Sequence, residues 1–361
     1  MLHRASSITL LLLGIISSVA QPRLAEGEAR WSPAGDLATA RADSPAVTLL
    51  DGRILLAGGS GGFEGPLASA EIFNPATAAW SSTGSMLMAR AQHTVTALDD
   101  GRVLAVGGLD RFGHEIAECE LYDPNTGTWS TTAHYYIQTA YHRAVRLLDG
   151  RVLVVPDLKS PQIYDTITAA WSGAGGASFQ RREETLTLLA DGRVIMVGGA
   201  VGGDTVNQVW IYDPVSKFWI GAENLIEARQ GHTATLLPDG RLLVAGGQSG
   251  GIALASAELY DPVTDQRSHA RRLNVARAYH TATELTKGDV VIAGGESGTR
   301  NIDAAEIYRF STAKWERAGI TPPVSHHTAA LLPDNQVLAI GGLGRRHIAI
   351  RRSETGPPTS Q

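Results

Sequence analysis

The side chains best suited to chemistry in this chain fall at matched positions. His93, His142, His232, His280 and His327 share one register, and Arg41, Arg90, Arg181, Arg229 and Arg277 share another three residues earlier. A residue type that recurs this way serves a scaffold, because a reaction centre needs one constellation and not five. The recurring Arg is expected to pair with a recurring Glu (Glu71, Glu120, Glu258, Glu306) as a desolvated, bidentate contact. The position just before the histidine behaves differently. It reads Asp43, Gln92, Tyr141, Glu183, Gly231, Tyr279 and His326. Strand alternation turns this polar, non-repeating set away from the histidines, toward the mouth of a central opening, and a site is expected there.

Other chemistry finds little support. Glu183 and Glu184 are adjacent on a strand, so their carboxylates point apart and cannot flank a glycosidic bond. The sequence has no HExxH helix or phosphate-binding loop. Cys119, the single cysteine, lies in a strand-like run beside Glu118 and Glu120. A buried, unreactive thiol is expected there.

These registers exist because the chain repeats. Double glycines close at Gly59, Gly108, Gly199, Gly247, Gly295 and Gly342, with Pro156-Asp157 in the third unit's place. The steps are 49, 49, 42, 48, 48 and 47 residues, a period that indicates a solenoid, propeller or array. In ARQGHTATLLPDGRLLVAGG, Ala228 to Gly247, two apolar runs flank Asp239-Gly240, the signal of a hairpin with a type I′ turn. A third run such as Glu120-Leu121-Tyr122-Asp123-Pro124 follows, and a Trp seven residues after the aromatic opens a fourth. Each unit thus has strands a, b, c and d.

Six complete units run from about Thr39 to Thr321. The last, from His326 to Ser353, has a, b and a possible c at Arg345 to Ile350, but no d. The Trp31 segment is a d strand without a, b or c. Together they would close a seventh blade and leave no open sheet end. The expected architecture is all-β: a seven-bladed propeller over 31–353, its last blade closed by the N-terminal strand, with a C-terminal tail over 354–361. Residues 1–20 carry Arg4, an apolar run from Ile8 to Val19 and the small-x-small site Ser18-Val19-Ala20. They read as a secretory signal peptide cut near Ala20, followed by a polar tail over 21–30. No later segment is apolar enough for a membrane span. A net charge of −5 and 31 Lys and Arg with no long basic run give no field for nucleic acid.

The double Gly, an aromatic 13 to 24 residues on and a Trp seven later resemble the kelch repeat. Phrases such as HTATLLPDGRLLVAGG resemble bacterial kelch proteins and the propeller of galactose oxidase, over roughly 31–353. The resemblance implies a binding scaffold without a cofactor, expected from the leader to be exported and expected to be a monomer, or alternatively a copper oxidase of the galactose-oxidase type or an inactive relative. That family holds copper with two Tyr and two His, one Tyr cross-linked to a Cys. The matching residues here are Tyr141, Tyr279, His280 and His326. Cys119 sits on strand c, so the cross-link is not expected.

The variable b–c and d–a connections emerge on one face, where loops on a rigid scaffold build sites. A protein, peptide or glycan ligand is expected there. Its candidate contacts are Tyr135, Tyr136, Tyr141, Glu183, Tyr279, His326, Asp43 and Gln92. Tyr135 and Tyr136 lie outside the repeat, beside the shortened b–c link of the third unit, where a recess is expected.

Overall fold

The computed structural model describes residues 31–136, 138–176, 179–344 and 352–356. The expected leader and polar tail, residues 1–30, lie outside the described residues. Seven four-stranded antiparallel sheets form the molecule, each in the order a, b, c, d. Blade 1, for example, is Ala46–Thr48, Ile54–Ala57, Ala70–Asn74 and Ala79–Thr83. Strand a of every blade lies against strand a of the next, and blade 7 returns to blade 1, so the ring is closed. The described residues include no α-helix, and none of their helices is long and apolar enough to cross a membrane.

The apolar runs explain this packing. Strand b, such as Leu242–Ala245 or Val290–Ala293, is buried along its whole length, as expected for a strand covered on both faces. The aromatic of strand c packs on the Trp of strand d, with ring centroids 5.1 Å apart for Tyr122 and Trp129 and 5.2 Å for Phe73 and Trp80. Several of these tryptophans also bond to the exit of the preceding blade: Trp129 Nε1 donates to Gly84 O at 2.9 Å and Trp315 Nε1 to Arg271 O at 2.9 Å.

Blade 7 is assembled from both ends of the described chain. Its strands are Thr328–Leu331, Val337–Ile340, Arg352–Gly356 and, from the N-terminal side, Ser32–Asp36. Ser32 pairs with Thr355, and Thr355 with Leu338. Trp31 Nε1 donates to Ala318 O of blade 6 at 2.8 Å, the same tie the other blades make. Strand c lies at Arg352–Gly356 and runs past the expected end of the propeller at 353. The segment 345–350, where it was expected, is outside the described residues.

The a–b turn also differs from expectation. Gly240 N–H bonds to Leu237 O and Leu237 N–H to Arg241 O, with Gly240 at φ 84° and Asp239 not left-handed. That is a three-residue loop, a type I turn closed by a left-handed glycine, in place of a type I′ pair. The Asp decides it: its carboxylate accepts the Arg241 backbone N–H at 3.1 Å and Nε at 2.8 Å, which holds the Asp right-handed.

Candidate functional site

Two sets of repeated side chains build the rim of the central opening. Arg41, Arg90, Arg229 and Arg277 are buried and pair with Glu71, Glu120, Glu258 and Glu306 at 2.8, 2.5, 2.7 and 2.9 Å. Each Arg Nη1 also donates to the carbonyl of a double glycine, as Arg229 does to Gly246 O at 2.6 Å. Each Glu accepts N–H groups of the incoming d–a connection, as Glu258 does from Ile226 at 2.6 Å. One ion pair therefore fixes three backbone segments. Arg181 instead reaches Gln208.

The histidines form the second set. Nε2 of His142, His232, His280 and His327 meets the hydroxyl of Thr94, Thr185, Thr233 and Thr281 on the preceding blade, at 2.9 to 3.2 Å. Burial is the main cause that lowers their pKa, to about 3 for His142 and His232 and about 4 for His327, with neighbouring cations adding to it. They are neutral struts between blades.

The non-repeating set stands on this frame. All seven of its members are left-handed: Asp43, Gln92, Tyr141, Glu183, Gly231, Tyr279 and His326 have φ between 48° and 59°. Backbone bonds link neighbours around the ring, from Asp43 N–H to His326 O and from Tyr279 N–H to Gly231 O, for example. All seven line one cavity of 390 Å³ at the mouth. The six that are not glycine carry strain that a glycine would relieve, and six different side chain settings result.

One half of the mouth is a connected network. Tyr279 crosses blade 5 to blade 4, where its hydroxyl donates to Glu183 Oε2 at 2.7 Å and accepts Gln248 Nε2 at 2.7 Å. Gly231 permits the crossing, since a Cβ there would lie 2.8 Å from the Tyr279 ring. The His326 ring stacks on Tyr279 with centroids 4.7 Å apart, and its Nδ1 faces Asp43 Oδ1 at 3.1 Å. Burial pushes the His326 pKa down, but the Asp43 hydrogen bond and charge, with Glu296 and Glu183, outweigh it and raise the pKa overall. Burial, and then the bond to Glu183, raises the Tyr279 phenol.

The other half is where the repeat breaks. At the seam between blades 3 and 4, Glu184 stands for the histidine, Arg143 for the threonine and Pro156-Asp157 for the double glycine. Arg143 Nε donates to Glu184 O at 2.9 Å. The Arg182 guanidinium lies 5.0 Å over the Tyr141 ring and pairs with Asp157. A second recess of 410 Å³ opens here, between Asp157, Leu158, Gln180 and Gln230, and shares Arg182 and Glu183 with the mouth.

The structure thus brings Asp43, Gln92, Tyr141, Glu183, Tyr279 and His326 together and separates the other two candidates. Tyr135 is a correction: it is 1% exposed, meets Trp171 edge-on at 4.7 Å and belongs to the core between blades 2 and 3. Its ring fills the gap beside strand c, which sequence spacing could not show. Tyr136 is exposed but does not line either cavity. Arg143 and Arg182 escaped the sequence reading. Comparing the units one residue past the histidine, where Thr94, Thr185, Thr233, Thr281 and Thr328 stand, would have exposed Arg143.

The candidate copper ligands do not converge as a set. Nε2 of His280 is taken by Thr233 and its Nδ1 is buried. The Tyr279 hydroxyl is held by Glu183 and Gln248, Nδ1 of His326 by Asp43, and Tyr141 lies beneath a guanidinium. Cys119 is buried on strand c, where burial raises its pKa to about 11. Among the described residues, no group of three or more His, Cys, Asp or Glu side chains is placed to hold a metal ion.

Comparison with known proteins agrees with this architecture. The Kelch motif family matches residues 43–87, 89–133 and 231–274, within blades 1, 2 and 5. No curated protein sequence matches the chain. Among solved structures, a fungal alcohol oxidase of the AA5 family in complex with copper is similar, with a TM-score of 0.74 at 15% identity. The match covers 91% of this chain and 76% of that one. Identity this low carries the fold alone. The chain is a seven-bladed β-propeller with Kelch motifs in blades 1, 2 and 5.

Proposed function

We propose that the protein is an exported binding scaffold whose protein, peptide or carbohydrate ligand seats in the loop-face cavity. One observation carries this reading. The scaffold positions repeat around the ring, while six of the seven mouth positions hold polar side chains around one 390 Å³ opening. Cavities of this size with a few convergent polar groups are the usual form of ligand sites. The exported state rests on residues 1–20, and the mature protein is expected to begin at Gln21, which N-terminal sequencing would check.

Glycan and peptide arrays would supply the ligand. Gln92→Gly is then expected to weaken binding while holding or raising the denaturant midpoint, because Gln92 has φ 54°. Asp239→Ser and Asp261→Ser, in the turns of the opposite face, are expected to leave binding intact. Loss of binding in the turn variants, with none in Gln92→Gly or Tyr279→Phe, would place the ligand on the other face.

The copper-oxidase alternative draws on the similar fold of the alcohol oxidase. Against it stands the engagement of Tyr279, His280 and His326 with protein partners. Metal analysis after copper loading is expected to find less than stoichiometric copper. One tightly held copper, lost in Tyr279→Phe, would reverse this choice.

A further inference from the structure

Charges lining the mouth and recess are engaged with one exception. Asp43 faces His326, Glu183 accepts the Tyr279 hydroxyl, and Asp157 pairs with Arg182. Arg143 is different. Its Nε is spent on Glu184 O, but its two Nη groups have no hydrogen-bond or ion-pair partner among the described residues, and it lines the central cavity. Every other blade has a threonine or a proline at this place on strand a (Pro45, Thr94, Thr185, Thr233, Thr281, Thr328). One guanidinium therefore enters an opening otherwise ringed by small side chains at that level.

A second observation marks the same seam. Glu184, beside Arg143, is 3% exposed, and its Oε2 has no partner. Burial raises the Glu184 pKa, although Arg143, its own N–H and Arg181 pull the other way. A planar fork of free N–H donors matches a carboxylate, which it can hold bidentately. Around it stand three amides, Gln92 at the mouth and Gln180 and Gln230 at the recess, beside the charges already engaged there. Such amides suit hydroxyl groups. The two cavities, 390 and 410 Å³, meet at Arg182 and Glu183 and give room for more than one sugar ring.

Resting on the binding reading above, we propose that the ligand is an acidic oligosaccharide, with a uronate carboxylate held in the channel mouth by Arg143 and the next sugar in the recess of blades 3 and 4. An acidic peptide shares the carboxylate, but Gln92, Gln180 and Gln230 together suit the hydroxyls of a sugar.

The test uses the full-length exported protein and three probes: trigalacturonate with triglucuronate, their neutral hexose counterparts, and hexaglutamate. At low salt, titration calorimetry is expected to show binding of a uronate trimer and at least about tenfold weaker binding of its neutral counterpart and of hexaglutamate. Arg143→Thr places there the residue of five other blades and is expected to fold, with a melting temperature lowered only by the loss of the bond to Glu184 O. It should weaken uronate binding about tenfold or more. Arg143→Lys, which keeps charge without the fork, should fall between them. Preference for hexaglutamate would make the ligand a peptide and overturn the proposal, as would no binding of either uronate. Equal binding of neutral and acidic trimers, unmoved by Arg143→Thr but weakened by Gln92→Gly, would overturn it while the mouth remained the binding site. Binding unmoved by either variant would remove both readings.

Discussion

At the residue scale, the mouth and its struts respond to pH in opposite senses. The four histidine struts and the buried His93 have lowered pKa values in the folded chain. The unfolded chain then binds more protons below about pH 6.5, so stability is full above that value and falls as pH drops. Each buried histidine should contribute a loss on the order of 1 kcal/mol per pH unit there. His326 works the other way: its pKa is raised, so its contribution is present below the unfolded value and is lost as pH rises through the folded one. Five buried histidines outweigh one rim histidine, so the urea midpoint is expected to fall steeply between pH 6.5 and 4. His142→Gln should flatten that slope. A midpoint independent of pH over this range would contradict the neutral-strut account. The buried Arg–Glu pairs give a second test. Arg277→Ala strands Glu306 in the interior and should cost about 3–5 kcal/mol, read from the denaturant midpoint. Gly231→Ala is expected to destabilise by about 1–3 kcal/mol, because its φ is 59° and its Cβ would meet Tyr279.

At the element scale, the strand Ser32–Asp36 closes the ring. Trp31 is partly buried, packs with the cluster between blades 6 and 7 and bonds to Ala318 O. Trp31→Ala should therefore cost about 2–3 kcal/mol. A chain starting at Leu37 should melt well below one starting at Trp31, or aggregate through the exposed edge of Arg352–Gly356. Equal melting of the two would contradict closure by this strand. The closing pairing was legible because a lone Trp31 segment at one end matches a unit lacking its d strand at the other. The place of strand c in blade 7 was not. Residues 345–350 carry apolar residues at a plausible spacing, and the pairing partner that decides the register lies some 320 residues away in sequence, at Ser32 and Pro33. The turn type was also misread, since the Asp-Gly signal fits both hairpin geometries and the Asp239–Arg241 contact chooses between them.

At the scale of the whole molecule, a repeat makes its own exceptions visible. Six mouth residues were legible because they varied where their neighbours recurred. Their left-handed backbone was not, because nothing in an Asp, Gln, Tyr, Glu or His announces positive φ. Tyr135 was misplaced because an aromatic outside the repeat looks functional until its packing on Trp171 is seen. The reach of Tyr279 over Gly231 to Glu183, 96 residues away, depends on how blades 4, 5 and 6 stack and could not be read locally. The central claim is that the loop-face mouth, with its recess at blades 3 and 4, receives the ligand. Hydrogen exchange on the complex with the array-identified ligand tests this most directly. Slowed exchange is expected in the backbone around Tyr141, Arg182-Glu183, Gly231 and Tyr279, with the a–b turns around Gly52, Gly101 and Gly240 unchanged. Protection confined to those turns, with none around the mouth, would contradict it.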